Sequence, residues 1–101
     1  MAIVEFTIVP LGTGDTSISK YVAECHKILA ASKLKYELTA MGTIVEGDLD
    51  EVLAIIMKMH EVPFTNKAKR VSTTIKIDDR RDKTATIENK VSAVLDKLEE
   101  E

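Results

Sequence analysis

The sequence has 101 residues, of which 45% are hydrophobic and 31% are charged. This composition predicts one globular domain over 1–101 and excludes two independent folding units, since single cores organise about 100–150 residues. A net charge of -3 and four aromatic residues, none of them Trp, argue against a nucleic-acid-binding protein, which needs a basic surface and stacking platforms.

Three features predict a cytoplasmic protein with no membrane partner. The single cysteine excludes an internal disulfide. No apolar run approaches the ~20 residues that span a bilayer. The first residues, Met-Ala-Ile-Val-Glu-Phe, lack the basic segment of a secretory signal.

The first third of the chain predicts a strand and a helix. Residues 3–9 are rich in β-branched side chains and end at Pro10 and Gly12, which predicts strand β1. Apolar residues then recur at helical spacing from Ile18 to Leu29, which predicts helix α1 over 17–32 with Thr16 as the N-cap.

A hairpin and a second helix follow. Residues 35–39 and 43–46 flank Met41-Gly42, where glycine supplies the positive φ of a tight turn, so they are predicted as β2 and β3. Asp48 and Glu51 resemble a capping box ahead of a helical stripe that Pro63 stops, which predicts α2.

The remaining chain predicts a strand and a helix. Residues 69–78 alternate apolar and polar side chains as in a half-buried strand β4. A third amphipathic stripe starts near Thr84 or Thr86 and predicts helix α3.

The order β-α-β-β-α-β predicts an α+β ferredoxin-like sandwich with strand order 4-1-3-2, an antiparallel-plus-parallel sheet and an extra C-terminal helix. Helices α1 and α2 then cover the face to which Val4, Phe6 and Ile8 point. The opposite face, with Ile3 and Val9, is left without an assured cover other than α3. An apolar open face and a long edge strand predict a homo-oligomer.

Candidate chemistry is sparse in the first half of the chain. Gly12 and Gly14 between a strand and a helix suit an anion site, but we interpret them instead as a tight turn capped by Thr16 or Ser17. Cys25 and His26 are adjacent, so on a helix they point about 100° apart and do not form a nucleophile–base pair. Cys25 lies on the apolar stripe and is interpreted as a buried small hydrophobe. Neither His26, on the polar side of α1, nor His60 has metal-ligand neighbours at suitable spacing, so we predict no metal and no cofactor.

Two short basic patches bracket β4, at positions 67–70 and 80–83. Aspartates interrupt the second patch, which is typical of a solvated loop or an ion-pair network. The alternative is an anion-binding effector site at a subunit boundary, formed by Lys76, Arg80 and Arg81.

The hairpin stretch 38–47 interleaves small hydroxyl residues and a carboxylate with apolar residues. Such a surface can hydrogen-bond a small heteroaromatic molecule while its apolar neighbours exclude water. Strand propensity of Thr39 and Thr43 accounts for the same pattern without a ligand.

Three motifs together carry a family resemblance: Val9-Pro10-Leu11-Gly12-Thr13 with Ser17-Ile18-Ser19, Met41-Gly42-Thr43 with Glu46-Gly47, and the run 74–81. Over nearly the whole chain, the sequence resembles the small thiamine-binding protein family. The resemblance implies a ferredoxin-like fold assembled as dimers or tetramers, binding of thiamine or its hydroxymethylpyrimidine moiety, and no catalysis. Related proteins have two domains, so a pocket shared between domains there would be shared between subunits here.

On this basis we predict a ligand site formed by Ser17, Thr39, Gly42, Thr43 and Glu46. A carboxylate or hydroxyl would accept from the amino group of an aminopyrimidine, and an acidic surface favours a thiazolium cation. Alternation along a strand places Thr43 and Glu46 on opposite faces, so both line one pocket only if the strand is bulged or the ligand is shared between subunits.

Overall fold

The computed structural model describes residues 1–12, 14, 19–84 and 86–100. These residues form four strands and three helices in the predicted order. The predicted N-cap Thr16 and the predicted start of α1 lie outside the described residues. The elements are β1 Ala2–Leu11, α1 Ser19–Ala31, β2 Lys35–Thr39, β3 Gly42–Gly47, α2 Leu49–Thr65, β4 Arg70–Asp79 and α3 Ile87–Glu99.

The four strands form one sheet in the order β2-β3-β1-β4, which confirms the predicted topology. The prediction of parallel pairs is wrong, because every neighbouring pair is antiparallel. Each helical crossover skips one strand: α1 connects β1 to β2 across β3, and α2 connects β3 to β4 across β1. The strands that run parallel to each other are therefore never neighbours.

The core lies between the sheet and helices α1 and α2. Alternation along β1 buries Val4 and Phe6 on the helix side, and Ile8 packs against the same cluster, as predicted. From the helices, the buried core residues are Cys25 and Leu29 of α1 and Val52, Ile56 and Met59 of α2.

The sequence predicts that Pro10 ends β1 and that Pro63 ends α2, but each proline lies inside its element. Strand β1 continues through Pro10, which is opposite Val71 of β4. Pairing between β1 and β3 extends only to Phe6 opposite Thr43, so Pro10 has a strand neighbour on one side only. The missing N–H of Pro10 therefore interrupts no hydrogen bonds to β3. Helix α2 likewise runs two residues beyond Pro63.

Two predictions about local backbone structure are wrong: the positive φ of Gly42 and the capping box of Asp48. Gly42 is not among the residues with positive φ; it is the first residue of β3, and a Cβ there would lie 3.1 Å from the carbonyl oxygen of Phe6. Glycine is needed for close approach to β1 rather than for the turn. Asp48 is the N-cap of α2, but its side chain makes no capping hydrogen bond.

Helix α3 is attached to the rest of the protein through its first turns. The side chain of Thr86 caps it by accepting from the N–H of Asn89, as one of the two predicted starts requires. Lys90 pairs with Asp78 at the end of β4. Beyond Ile87, its apolar residues are more than half exposed: Val91, Val94, Leu95 and Leu98.

No helix among the described residues has both the length and the apolar character needed to cross a membrane.

Candidate functional site

A cavity of about 750 Å³ lies at one end of the sheet, between the tip of the β2–β3 hairpin and α1. It forms where β1 outruns its neighbour, since β3 begins at Gly42 while β1 extends to Leu11. Residues 6–9 of β1 make one wall. We call this space the hairpin cavity.

Helix α1 makes the second wall of the hairpin cavity. Residues three and four apart share one face of a helix, and this face is turned toward the cavity. The residues that line it are Ser19, Val22, Ala23, Cys25 and His26 of α1, with Met59 of α2 beside them.

The hairpin tip, residues 38–43, makes the third wall. The hydroxyl of Thr39 donates to the carbonyl oxygen of Gly42 at 2.8 Å and accepts from the N–H of Met41 at 3.3 Å. These two bonds fix the tip, and Met41 projects from it with 85% of its surface exposed.

A histidine and a threonine form the polar centre of the hairpin cavity. Nε2 of His26 lies 3.2 Å from Oγ1 of Thr43, within hydrogen-bonding distance. The imidazole also packs edge-on against Tyr36, with ring centroids 5.5 Å apart. Burial lowers the pKa of His26 below its usual value, so the ring is neutral at neutral pH and can donate or accept a hydrogen bond.

The thiol of Cys25 is held against α2. Its Sγ donates to the carbonyl oxygen of Met59 at 3.6 Å. Pro63 has no N–H for that carbonyl, four residues earlier in the helix, so the thiol replaces a missing helical donor. Burial, with a smaller contribution from the charge of Glu24, raises the pKa of Cys25 to about 11. The interpretation of Cys25 as a buried small hydrophobe is confirmed.

The structure brings together three of the five predicted ligand residues. Thr39, Gly42 and Thr43 line the hairpin cavity. Ser17 lies outside the described residues. Glu46 is buried on the opposite face of the sheet, where its Oε2 accepts from the N–H of Ile87 at 2.8 Å.

Glu46 therefore joins β3 to the start of α3. Its second oxygen lies 3.7 Å from Nζ of Lys35, which also pairs with Glu88 in the first turn of α3. As strand alternation predicts, the structure does not place Glu46 with Thr43.

Two of the three residues of the alternative anion site, Arg80 and Arg81, form ion pairs with aspartates. Arg80 donates from Nε and Nη2 to the carboxylate of Asp82, and this contact lowers the pKa of Asp82 to about 2. Arg81 donates to Asp79 in the same way. Lys76 lies on the open face of β4, opposite Glu5 of β1. Both guanidinium groups thus already have carboxylate partners.

His26 is the site residue that sequence reasoning missed. The sequence predicts it on the polar side of α1, whereas it is half-buried and lines the hairpin cavity. Its position four residues after Val22 and three before Leu29 was an available signal, because this spacing places it beside the apolar stripe.

Among the described residues, no group of three or more His, Cys, Asp or Glu side chains is arranged to hold a metal ion.

Comparison with known proteins places this architecture in a family. The sequence profile of the family described as Thiamine-binding protein matches residues 4–95. The chain belongs to the thiamine-binding protein family. A relative in this family, the UPF0045 protein YqgV of Bacillus subtilis, is 49% identical over 98 residues, which are 93% of this chain and 94% of the relative.

Solved structures agree with the membership in the thiamine-binding protein family. The crystal structure of MJ1052 from Methanocaldococcus jannaschii superposes with a TM-score of 0.83 at 43% identity and covers 92% of this chain and 94% of that one. A Thermotoga maritima protein proposed to act in thiamine biosynthesis or salvage superposes with a TM-score of 0.75 at 25% identity, over 92% of this chain and 97% of that one.

Proposed function

We propose that this protein binds thiamine or its hydroxymethylpyrimidine moiety in the hairpin cavity, without catalysis and as a homo-oligomer in the cytoplasm. The observation that carries the proposal is the cavity itself: about 750 Å³, walled by apolar groups, with His26 and Thr43 at its polar centre. This volume is within the ~300–1,000 Å³ range of small-molecule sites, and a few placed polar groups in an apolar wall are typical of them.

The polar groups suit an aminopyrimidine. Such a ring presents apolar faces, nitrogen acceptors and an amino donor at its edge. A neutral His26 can donate to a ring nitrogen, and the hydroxyl of Thr43 can accept from the amino group or donate. Shape and hydrogen bonding would thus act together.

The charge around the cavity also suits thiamine. No lysine or arginine is among the described residues that line it, and His26 is neutral. A thiazolium cation therefore meets no positive side chain there, and a net charge of -3 attracts it at long range.

The proposed absence of catalysis rests on the state of Cys25. Its thiol is bonded to Met59, and its pKa of about 11 leaves it protonated at neutral pH. His26 interacts with Thr43 rather than with this thiol. Since the thiolate is the nucleophilic form, the pair is not set up for covalent chemistry.

Unpaired apolar surface supports assembly of several copies. Ile75 and Ile77 of the edge strand β4 are 38% and 45% exposed, and the α3 stripe is exposed beyond Ile87. Positions 87, 91, 94 and 98 alternate spacings of four and three, which is the seam by which helices pair with one another. A second copy of this chain would bury both surfaces.

Calorimetric titration with thiamine tests the binding proposal. Thr43→Val removes the hydroxyl beside His26 at nearly constant volume, and we expect about tenfold weaker binding. Thr73→Val is the matched control, because Thr73 is also a strand threonine whose hydroxyl contacts a helix histidine, His60, at 2.6 Å, but it does not line the cavity. We expect the control to bind as the unaltered protein does.

The protein must first be unfolded, washed and refolded to remove any copurified ligand. Absence of heat with both thiamine and hydroxymethylpyrimidine at millimolar concentration would contradict the proposal. Equal weakening by the two valine substitutions would contradict the placement of the ligand.

A further inference from the structure

A second cavity of about 540 Å³ lies beyond the end of β1. Its wall combines the end of β1, the first turn of α1 and the connection from α2 to β4. We call it the basic cavity because three of its lining residues are cations, Lys67, Lys69 and Arg70. Its other lining residues include Leu11, Tyr21 and Asn66.

The three cations of the basic cavity have no carboxylate partner among the described residues. The salt bridges of the described chain involve Lys35, Arg80, Arg81 and Lys90 instead. Three unpaired positive side chains within the four positions 67–70 thus belong to residues that line one cavity. Their mutual repulsion is relieved when an anion lies between them.

The loop that carries Lys67 and leads to Lys69 and Arg70 is held in shape by its own backbone. Successive N–H groups of Asn66, Lys67 and Ala68 donate to the carbonyl oxygens of Pro63, Phe64 and Pro63 respectively, at 3.0–3.2 Å. Lys67 takes a left-handed φ of 73° at the point where the chain turns toward β4. The positive groups are thus presented by a fixed turn, which reduces the ordering needed on binding.

The remainder of the wall suits a small polar ligand. Leu11 and Tyr21 offer apolar surface, and Tyr21 also has a hydroxyl. The side-chain amide of Asn66 donates to Glu24 and to the carbonyl oxygen of Val62, at 2.8 and 2.9 Å, so the nearby carboxylate is engaged by Asn66 and not by the cations.

From these observations we propose that the basic cavity binds the phosphate group of a small ligand, either a phosphate monoester or free phosphate. Lysine and arginine are the side chains that hold phosphate through charge-assisted hydrogen bonds. The site is separate from the hairpin cavity, since the two share no described lining residue, and it goes beyond the proposed binding of thiamine.

Titration calorimetry with inorganic phosphate and with glycerol 3-phosphate, on the full chain, tests this proposal. The variant Lys69→Gln/Arg70→Gln removes two of the cations, and we expect at least about tenfold weaker binding of both probes. The matched control is Arg80→Gln/Arg81→Gln, which removes the same charge from an adjacent pair that already has aspartate partners. We expect this control to bind phosphate within about twofold of the unaltered protein.

Circular dichroism and melting temperature establish that both variants are folded before binding is compared. Tighter binding of glycerol 3-phosphate than of phosphate identifies an organic phosphate as the ligand, and equal binding identifies free phosphate. Binding of neither probe at millimolar concentration would overturn the proposal. So would equal loss in both variants, or loss only in Arg80→Gln/Arg81→Gln.

Discussion

His26 and Thr43 determine what the hairpin cavity can recognise. They come from a helix and a strand, and their polar atoms lie 3.2 Å apart in otherwise apolar surroundings. The sequence indicated Thr43 because hydroxyl residues on a hairpin are a local pattern. The spacing of His26 along α1 indicates its position beside the apolar stripe. Its contact with Thr43 has no local signal, since it depends on the packing of α1 against a strand residue 17 positions away.

Cys25 shows the same dependence on distant contacts. Its burial follows from the apolar stripe, but its bond to Met59 requires the carbonyl that Pro63 leaves without a donor. The thiol therefore supports the one point where α2 lacks a helical hydrogen bond.

We predict that Cys25 resists alkylation in the folded protein. With a pKa of about 11, only about one thiol in a thousand is ionised at pH ~8, and it is also buried. Iodoacetamide should leave the folded protein unmodified, as measured by intact mass, while the urea-unfolded chain reacts fully. Equal reaction of folded and unfolded protein would show that the thiol is accessible.

Neighbouring residues determine the bounds of most helices and strands, whereas distant contacts determine how the strands pair. Strand β2 has the predicted bounds, and β3, β4 and α3 lie within one or two residues of theirs, because alternation, helical spacing and the Thr86 cap are properties of neighbouring residues. Strand directions and the tolerance of Pro10 depend on which strands are paired, which no local pattern specifies. The hairpin cavity arises from such pairing, because β1 extends several residues past the point where β3 begins.

Glu46, which the sequence predicts as a ligand residue, contacts the first residue of α3 instead. Its carboxylate accepts the N–H of Ile87 and lies near Lys35, which ties α3 to the sheet. A buried acceptor of this kind stabilises the helix start that it contacts.

We predict that Glu46→Ala destabilises the protein by about 2 kcal/mol, because the N–H of Ile87 loses a charged acceptor. Hydrogen exchange in α3 should become faster, while affinity for thiamine stays unchanged since Glu46 lies on the other face of the sheet. Unchanged exchange in α3 would contradict the anchoring role. Loss of thiamine affinity in a folded variant would instead restore Glu46 as a ligand residue.

At the scale of the whole molecule, the described chain is elongated, with a longest dimension of 50 Å. Its two cavities lie at the same end of the sheet, with Val9 lining one and Leu11 the other. The exposed apolar residues that we propose to mediate assembly lie on β4 and α3. The proposed binding and the proposed assembly therefore involve different surfaces.

We predict that light scattering returns a mass of two or more times 11.2 kDa. Val91→Glu/Leu98→Glu introduces charge into the exposed seam of α3 and should shift the protein toward the single-chain mass, because a buried unpaired charge disfavours association. Asn89→Glu/Ser92→Glu adds the same charge to other exposed positions of α3 and should leave the mass unchanged. A single-chain mass for the unaltered protein at micromolar concentration would contradict assembly.

NMR mapping of the labelled protein during titration with thiamine tests whether thiamine occupies the hairpin cavity as we propose. We predict that the backbone amide resonances that shift are those of residues 6–9, the cavity-facing residues of α1 and the hairpin tip 38–43. The resonances around Lys35, Glu46 and Ile87 should stay in place, because they lie on the opposite face. Shifts confined to that opposite face, or no shifts at millimolar thiamine, would show that thiamine does not bind in the hairpin cavity.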